Sequence, residues 1–194
     1  EAAYKAFRQQ YNDNPNPLDL YILITHSFNY QLRFNSRHQY NNPFGKANST
    51  FNAAMRNNLN LFLDRVKSID IDFVCNDFLY FDFSSITADD FIYCDPPYLI
   101  STGAYNDGKR GFKGWSESEE YQLLAMLESF DKNGIRFALS NVLLHKGKTN
   151  HILIDRIGRH NFKVAHLKKN YAASSYHTSD RNKNGSDEVL IMNY

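Results

Sequence analysis

The chain has 194 residues, 42% hydrophobic and 22% charged, the balance of one ordinary globular domain or slightly more. A net charge of +1 points to no class of partner by itself. Two cysteines exclude a disulfide framework and read as buried free thiols of a reducing compartment; no apolar run has the length of a membrane span, and no signal peptide is visible.

The charges are unevenly placed. Residues 1–66 carry seven Lys/Arg against four Asp/Glu, residues 67–105 one against seven, and residues 106–194 fourteen against ten. Basic flanks around an acidic centre suit a polyanion gripped at the edges and a cationic or polar ligand between them; scattered surface charge gives the same counts. Thirteen Tyr, fifteen Phe and one Trp supply both core and flat surfaces for stacking.

The opening residues, "EAAYKAFRQQY", read as a helix over 2–11 taken from inside a longer protein. "NDNPNP" breaks it, with Asn16 as a cap and Pro17 in the first turn of a second helix over 17–29. Its stripe is Leu20, Leu23, Ile24 and Phe28. Residues 32–45, "LRFNSRHQYNNPFG", alternate and contain turn residues, which predicts a β-hairpin or an ordered loop projecting Arg33 and Arg37. Ser49 is a candidate cap for a third helix with Phe51, Met55, Leu59, Phe62, Leu63 and Val66 on one side. Residues 1–67 thus form a small helical domain with a hairpin, and 68–194 an α/β portion.

Strands are predicted at "IDFVCNDF" (71–78), "FIYCD" (91–95) and "IRFALSN" (135–141). Ser116 and Glu119 have the capping-box spacing for a helix to about Asp131, and Gly134 ends that unit. A helix over 149–158 and strands at 162–168 and 187–193 follow, the last two separated by a mobile polar stretch, "NYAASSYHTSDRNKNGS". The pattern predicts an α/β fold, a mostly parallel sheet closed by an antiparallel hairpin.

One strand end carries unusual chemistry. Asp95-Pro96-Pro97-Tyr98 directly follows an apolar strand, where open α/β sheets bind ligands. Two prolines stiffen the loop and contribute no N–H donors. The Asp95 carboxylate and the Pro96 carbonyl can converge on one exocyclic amine while Tyr98 offers a stacking face. Two acceptors pulling on an adenine amine favour its nucleophilic, pyramidal form, for attack on the methyl of a sulfonium donor. Positioning and fixed polarity would carry the rate. An adenine in a duplex must first be flipped out of the stack. The plain alternative is a strand-ending turn.

These residues carry a resemblance. "DPPY" after an apolar strand resembles the catalytic motif of amino-group DNA methyltransferases. "SFNYQLRFNSRHQYNNPFGK" is similar to the target-recognition segment of Dam-type (α-class, D12-like) adenine-N6 enzymes, and "LSN" at 139–141 and "DEVLIMNY" match their pattern. The resemblance implies a methyltransferase-type sheet with a target-recognition unit, S-adenosyl-L-methionine as cofactor, double-stranded DNA as partner and GATC as the usual site. It implies that Asp95, Pro96, Pro97 and Tyr98 hold the flipped adenine, and that Asp77, Phe78 and Asp95 line the methyl donor's site. Arg33 matches the arginine that reads guanine, an arginine fork suited to O6 and N7. Phe28 and Tyr30 match side chains pressed into the opened duplex. Asn35 and Pro43 match recognition positions, and Arg37 and Lys46 suit phosphate contacts.

Local readings stay open beside these. Phe28 fits the end of a core stripe, Tyr30 hairpin packing, Arg37 a solvated charge, Asp77 a turn cap, and Ser140-Asn141 a strand end. The histidines and cysteines show no metal-ligand spacing. The family's glycine-rich loop and N-terminal lysine motif have no counterpart, the first glycine being Gly45. The expectation is therefore an incomplete enzyme of weak cofactor affinity, monomeric with a sheet edge prone to association, or a non-catalytic DNA-binding remnant. A bacterial or phage-encoded cytoplasmic protein, alone or within a restriction-modification system, is implied.

Overall fold

The computed structural model of the chain describes residues 1–46, 49–101, 114–167 and 185–194. They cluster into two units, Glu1–Asn76 and, from Asp77 onward, the rest.

In the first unit, α1 (Ala2–Asp13) and α2 (Pro17–His26) pack an aromatic core. Tyr4, Tyr11, Leu23 and Tyr40 are buried, with Phe7, Leu20, Ile24, Phe34 and Phe44 around them. The rings meet edge to face: Tyr11 and Phe34 lie 6.2 and 5.7 Å from Tyr40. Asn16 caps α2 by accepting the Asp19 N–H at 2.9 Å, with Pro17 at the first helical position.

Of the two forms expected for residues 32–45, the structure shows the ordered loop and not a hairpin ladder. These residues fold back with two isolated antiparallel bridges, Ser27 to Phe44 and Phe34 to Tyr40. Side chains take the backbone groups a ladder would use: Asn12 clamps both the N–H and the carbonyl of Tyr40, at 2.8 and 3.1 Å. The third helix, α3 (Ala53–Lys67), is capped by Asn52, which accepts the Met55 N–H at 2.9 Å, rather than by Ser49. None of its residues is buried, and Leu61, Phe62 and Leu63 are exposed. Of the expected stripe, only Phe51, Met55, Leu59 and Val66 are half-covered. Residues 70–77 form no strand; Phe73 and Val74 are exposed, because nothing among the described residues pairs with that backbone. Cys75 is exposed there, not buried.

The second unit is a five-stranded mixed sheet: β1 (Phe91–Cys94), β2 (Arg136–His145), β3 (Lys148–Thr149), β4 (Lys163–Leu167) and β5 (Ser186–Met192). The order is β1-β2-β5-β4, with β3 on β2. Only β1 and β2 are parallel, in register Phe91 to Arg136 through Cys94 to Leu139. The expected antiparallel pair of the last two strands is present, β4 on β5 at the sheet edge, but the described sheet is mixed rather than mostly parallel because β5 also pairs antiparallel with β2. That pairing also carries β2 four residues beyond its expected end.

Between β1 and β2 lies α4 (Glu117–Lys132), begun by the Ser116–Glu119 capping box. Gly134, at φ +71°, ends it in the left-handed conformation a glycine adopts without strain, and the Ile135 N–H returns to the Phe130 carbonyl at 2.9 Å. The helix α5 (His151–His160) covers the sheet beside α4. Leu123, Leu124, Leu127 and Phe130 of α4 meet Phe137, Leu139, Leu153, Val189 and Ile191 in the core. Each fully buried aliphatic side chain there contributes about 1.5–3 kcal/mol. The polar stretch ahead of β5, predicted to be mobile, falls almost wholly outside the described residues.

Candidate functional site

The parallel register puts the carboxyl ends of β1 and β2 at one edge. Asp95 follows Cys94, whose partner is Leu139, so Ser140 and Asn141 run on beside the Asp95 loop. Tyr93 is tied to that neighbour, its hydroxyl 2.7 Å from the Ser140 hydroxyl. The Asp95 carboxylate is exposed and forms no ion pair among the described residues. Tyr98 donates its hydroxyl to Asp95 Oδ1 at 3.4 Å, a long bond. The Tyr98 carbonyl accepts the Ser101 N–H at 3.2 Å, which turns the chain after the motif. Pro96 is half-buried and Pro97 exposed. Burial pushes the Cys94 thiol up to about 11, so it stays protonated near neutral pH and is no nucleophile.

Asp77 and Phe78 are placed in the same unit by a 3₁₀ turn, Phe78–Tyr80. Asp77 caps it, accepting the Leu79 N–H at 3.1 Å, so the local reading of this residue holds in the structure. Phe78 packs on the sheet's core and lies 5.9 Å from the Trp115 ring.

A polar cluster next to this edge escaped the sequence reading. Glu120, fully buried in α4, accepts from Trp115 Nε1 at 2.7 Å, Asn150 Nδ2 at 3.0 Å and Asn141 Nδ2 at 3.3 Å. A signal existed: Glu120 shares the helical stripe of Leu123, Leu124 and Leu127, where a carboxylate needs partners.

The seven residues expected to meet DNA all lie in the first unit. Phe28 and Tyr30 sit on a second 3₁₀ turn, Phe28–Tyr30, 40% and 43% exposed, past the end of α2 and outside its core stripe. Asn29 and Tyr30 both adopt φ near +53°, a left-handed conformation uncommon for a tyrosine. The "NNPFG" residues hold that turn. Buried Asn42 donates to the Phe28 and Gln31 carbonyls at 2.9 and 3.0 Å, and its own backbone carbonyl accepts from Tyr4 Oη and Arg8 Nη1 at 3.1 and 3.0 Å. The Pro43 carbonyl accepts the Phe28 N–H at 2.8 Å. Gly45 is required by close approach, since a Cβ there would stand 2.7 Å from the Ser27 carbonyl oxygen. No local spacing marks Asn42 and Gly45 for this supporting role, which rests on contacts with Phe28, Gln31 and Ser27.

Asn35 turns inward. Its Oδ1 accepts the Arg37 and Gln39 N–H groups at 2.9 and 3.0 Å, closing the loop that carries exposed Arg37. Arg33 is half-buried; its Nε is covered without a hydrogen-bond partner, and its guanidinium makes no ion pair among the described residues. Lys46 is exposed. No helix among the described residues is long and apolar enough to cross a membrane.

Residues 2–176 match the family described as D12 class N6 adenine-specific DNA methyltransferase. The modification methylase StsI of Streptococcus sanguinis is 52% identical over all 194 residues, and the type II methyltransferase M.FokI of Planomicrobium okeanokoites 47%. The chain spans 29% of the length of each. The DNA adenine methylase of Haemophilus influenzae is 33% identical over 49% of the chain. Family match and whole-chain identity agree: the chain belongs to the D12 class of N6 adenine-specific DNA methyltransferases.

Proposed function

We propose that the chain methylates N6 of an adenine turned out of duplex DNA, within a type II modification system. The carrying observation is Asp95 at the carboxyl end of β1, its carboxylate exposed and in contact with the Tyr98 hydroxyl. Asp95 and the Pro96 carbonyl accept the two N–H bonds of the amine, and Tyr98 stacks on the base. That arrangement aims the nitrogen lone pair away from both acceptors.

S-adenosylmethionine would supply the electrophilic methyl and leave as a neutral thioether. The residues present suit it: Phe78 with Trp115 offers an aromatic wall for a purine, and Asp95 and Asp77 offer carboxylates to a sulfonium and a sugar. The surplus proton of the methylated amine departs to water past the exposed Asp95.

In the first unit, Phe28 and Tyr30 fill the space of the extruded base, Arg33 reads guanine, and Arg37 and Lys46 meet phosphates, with Asn35 and Pro43 shaping the loops. An arginine that makes no ion pair among the described residues supports this reading, because no carboxylate there competes with guanine for its guanidinium. The resemblance to Dam-type enzymes gives GATC as the first candidate site. The stronger similarity to type II modification methylases widens the search beyond it. We further propose a monomer acting in the cytoplasm.

The test is transfer of labelled methyl from S-adenosylmethionine to a duplex library, with the product base identified as N6-methyladenine. Binding of duplex without any transfer would favour the DNA-binding remnant instead.

A further inference from the structure

Glu120 is 0% exposed, and no cation faces it among the described residues. A buried carboxylate without a counterion is costly and persists only where hydrogen bonds hold it. Here three N–H donors converge: Trp115 Nε1 at 2.7 Å, Asn150 Nδ2 at 3.0 Å and Asn141 Nδ2 at 3.3 Å. Its place in the opening turns of α4 further favours an anion.

The three donors come from three elements. Trp115 precedes α4, Asn141 lies on β2 beside the Asp95 loop, and Asn150 caps α5. Neither asparagine can turn its amide over, because Asn141 Oδ1 accepts the Val142 N–H at 2.8 Å and Asn150 Oδ1 the Leu153 N–H at 3.1 Å. A glutamine at position 120 would offer one acceptor oxygen and turn an NH₂ toward at least one N–H. Only the carboxylate satisfies all three.

The Trp115 end of the cluster reaches the Phe78 ring. The indole lies 5.9 Å from that ring, inclined at 38°. We propose that Glu120 is a positioning residue for the methyl donor, fixing the Trp115 indole as the wall that, with Phe78, receives the purine. The inference rests on the methyltransferase reading above, in which Phe78 lies on the cofactor side. Glu120 itself touches no substrate; it acts through the indole N–H.

The test uses the full chain with Glu120→Gln, Trp115→Phe and the double variant, each checked for folding by circular dichroism. Affinity for S-adenosylmethionine is measured by calorimetry and affinity for duplex DNA by fluorescence anisotropy. The single variants should each weaken S-adenosylmethionine binding about tenfold, as loss of a partner behind a binding residue does. Duplex affinity should stay within about twofold, and the double variant should be no weaker than Trp115→Phe, because without the indole N–H Glu120 has nothing left to position there.

Folded variants that bind S-adenosylmethionine as tightly as wild type overturn the inference and leave the methyltransferase reading intact. Equal losses toward both ligands also overturn it, since they mark a general structural role. Wild type that binds no S-adenosylmethionine sinks the functional reading and this inference with it. If Glu120→Gln does not fold, Trp115→Phe decides, because it leaves the carboxylate with both asparagines.

Discussion

Asn42 donates from Nδ2 to the Phe28 carbonyl at 2.9 Å while itself fully buried. The bond joins the "NNPFG" stretch to the turn that presents Phe28 and Tyr30. With Asn42→Ala, the Phe28 and Gln31 carbonyls both lose a donor. Stability should fall by about 1–3 kcal/mol, the net worth of two part-buried hydrogen bonds, since the Phe28 carbonyl keeps the Gln31 N–H and the Gln31 carbonyl keeps the Tyr40 hydroxyl. Chemical denaturation reads the loss directly. An Asn42→Ala chain as stable as wild type would show that water reaches these carbonyls.

The same turn makes a separate demand on the arginines. Arg33 is half-buried with Nε unpaired, whereas Arg37 is exposed on a loop closed by Asn35. Arg33→Ala should cost about 1–3 kcal/mol at one base pair of the target and little elsewhere. Arg37→Ala should weaken every duplex equally and lower the slope of log affinity against log salt by about one. Anisotropy titrations on single-substituted duplexes at several salt concentrations separate the two outcomes. Uniform weakening by Arg33→Ala would remove it from base reading.

Much of the second unit was legible because its signals are local. The apolar run at 91–95, the Ser116–Glu119 box and Gly134 each act within a few residues, and the structure realises all three. The antiparallel pair of the last two strands was legible, but the insertion of β5 beside β2 was not, since that pairing spans more than forty residues. Residues 71–78 misled for a related reason: apolar composition marks a strand only if a partner exists. The candidate site divides the same way. Asp95 and Tyr98 were readable from the motif itself. The support given by Asn42, Gly45 and Glu120 depends on distant contacts that no spacing announces.

The two cysteines should differ sharply in reactivity. Cys75 is exposed, while burial raises the Cys94 thiol to about 11. At pH 8 the thiolate fraction of Cys94 is then about one in a thousand. A thiol-specific maleimide should label one cysteine quickly in the native chain and two after denaturation, with peptide mapping placing the fast site at Cys75. Because the acid is raised, Cys94 should become reactive only as pH approaches 11. Fast labelling of Cys94 at pH 8 would mean that β1 opens.

Asp95 and Tyr98 touch, and their roles can be separated by substitution. The Tyr98 hydroxyl reaches Asp95 Oδ1 only at 3.4 Å, so the bond is weak and orients the carboxylate modestly. Tyr98→Phe keeps the ring face and loses that bond; methyl transfer should fall only a few-fold, about 1 kcal/mol. Asp95→Ala removes an acceptor for the amine itself, and transfer should fall by about a hundredfold or more, the scale seen when one preorganised polar group is deleted. Duplex binding should change little in either variant, since Asp95 and Tyr98 meet only the extruded base, while the seven residues expected on the duplex lie in the other unit. Single-turnover methylation, compared with anisotropy on the same duplex, distinguishes chemistry from binding. If Tyr98→Phe were as damaging as Asp95→Ala, the hydroxyl would have to act on the reacting amine rather than on Asp95.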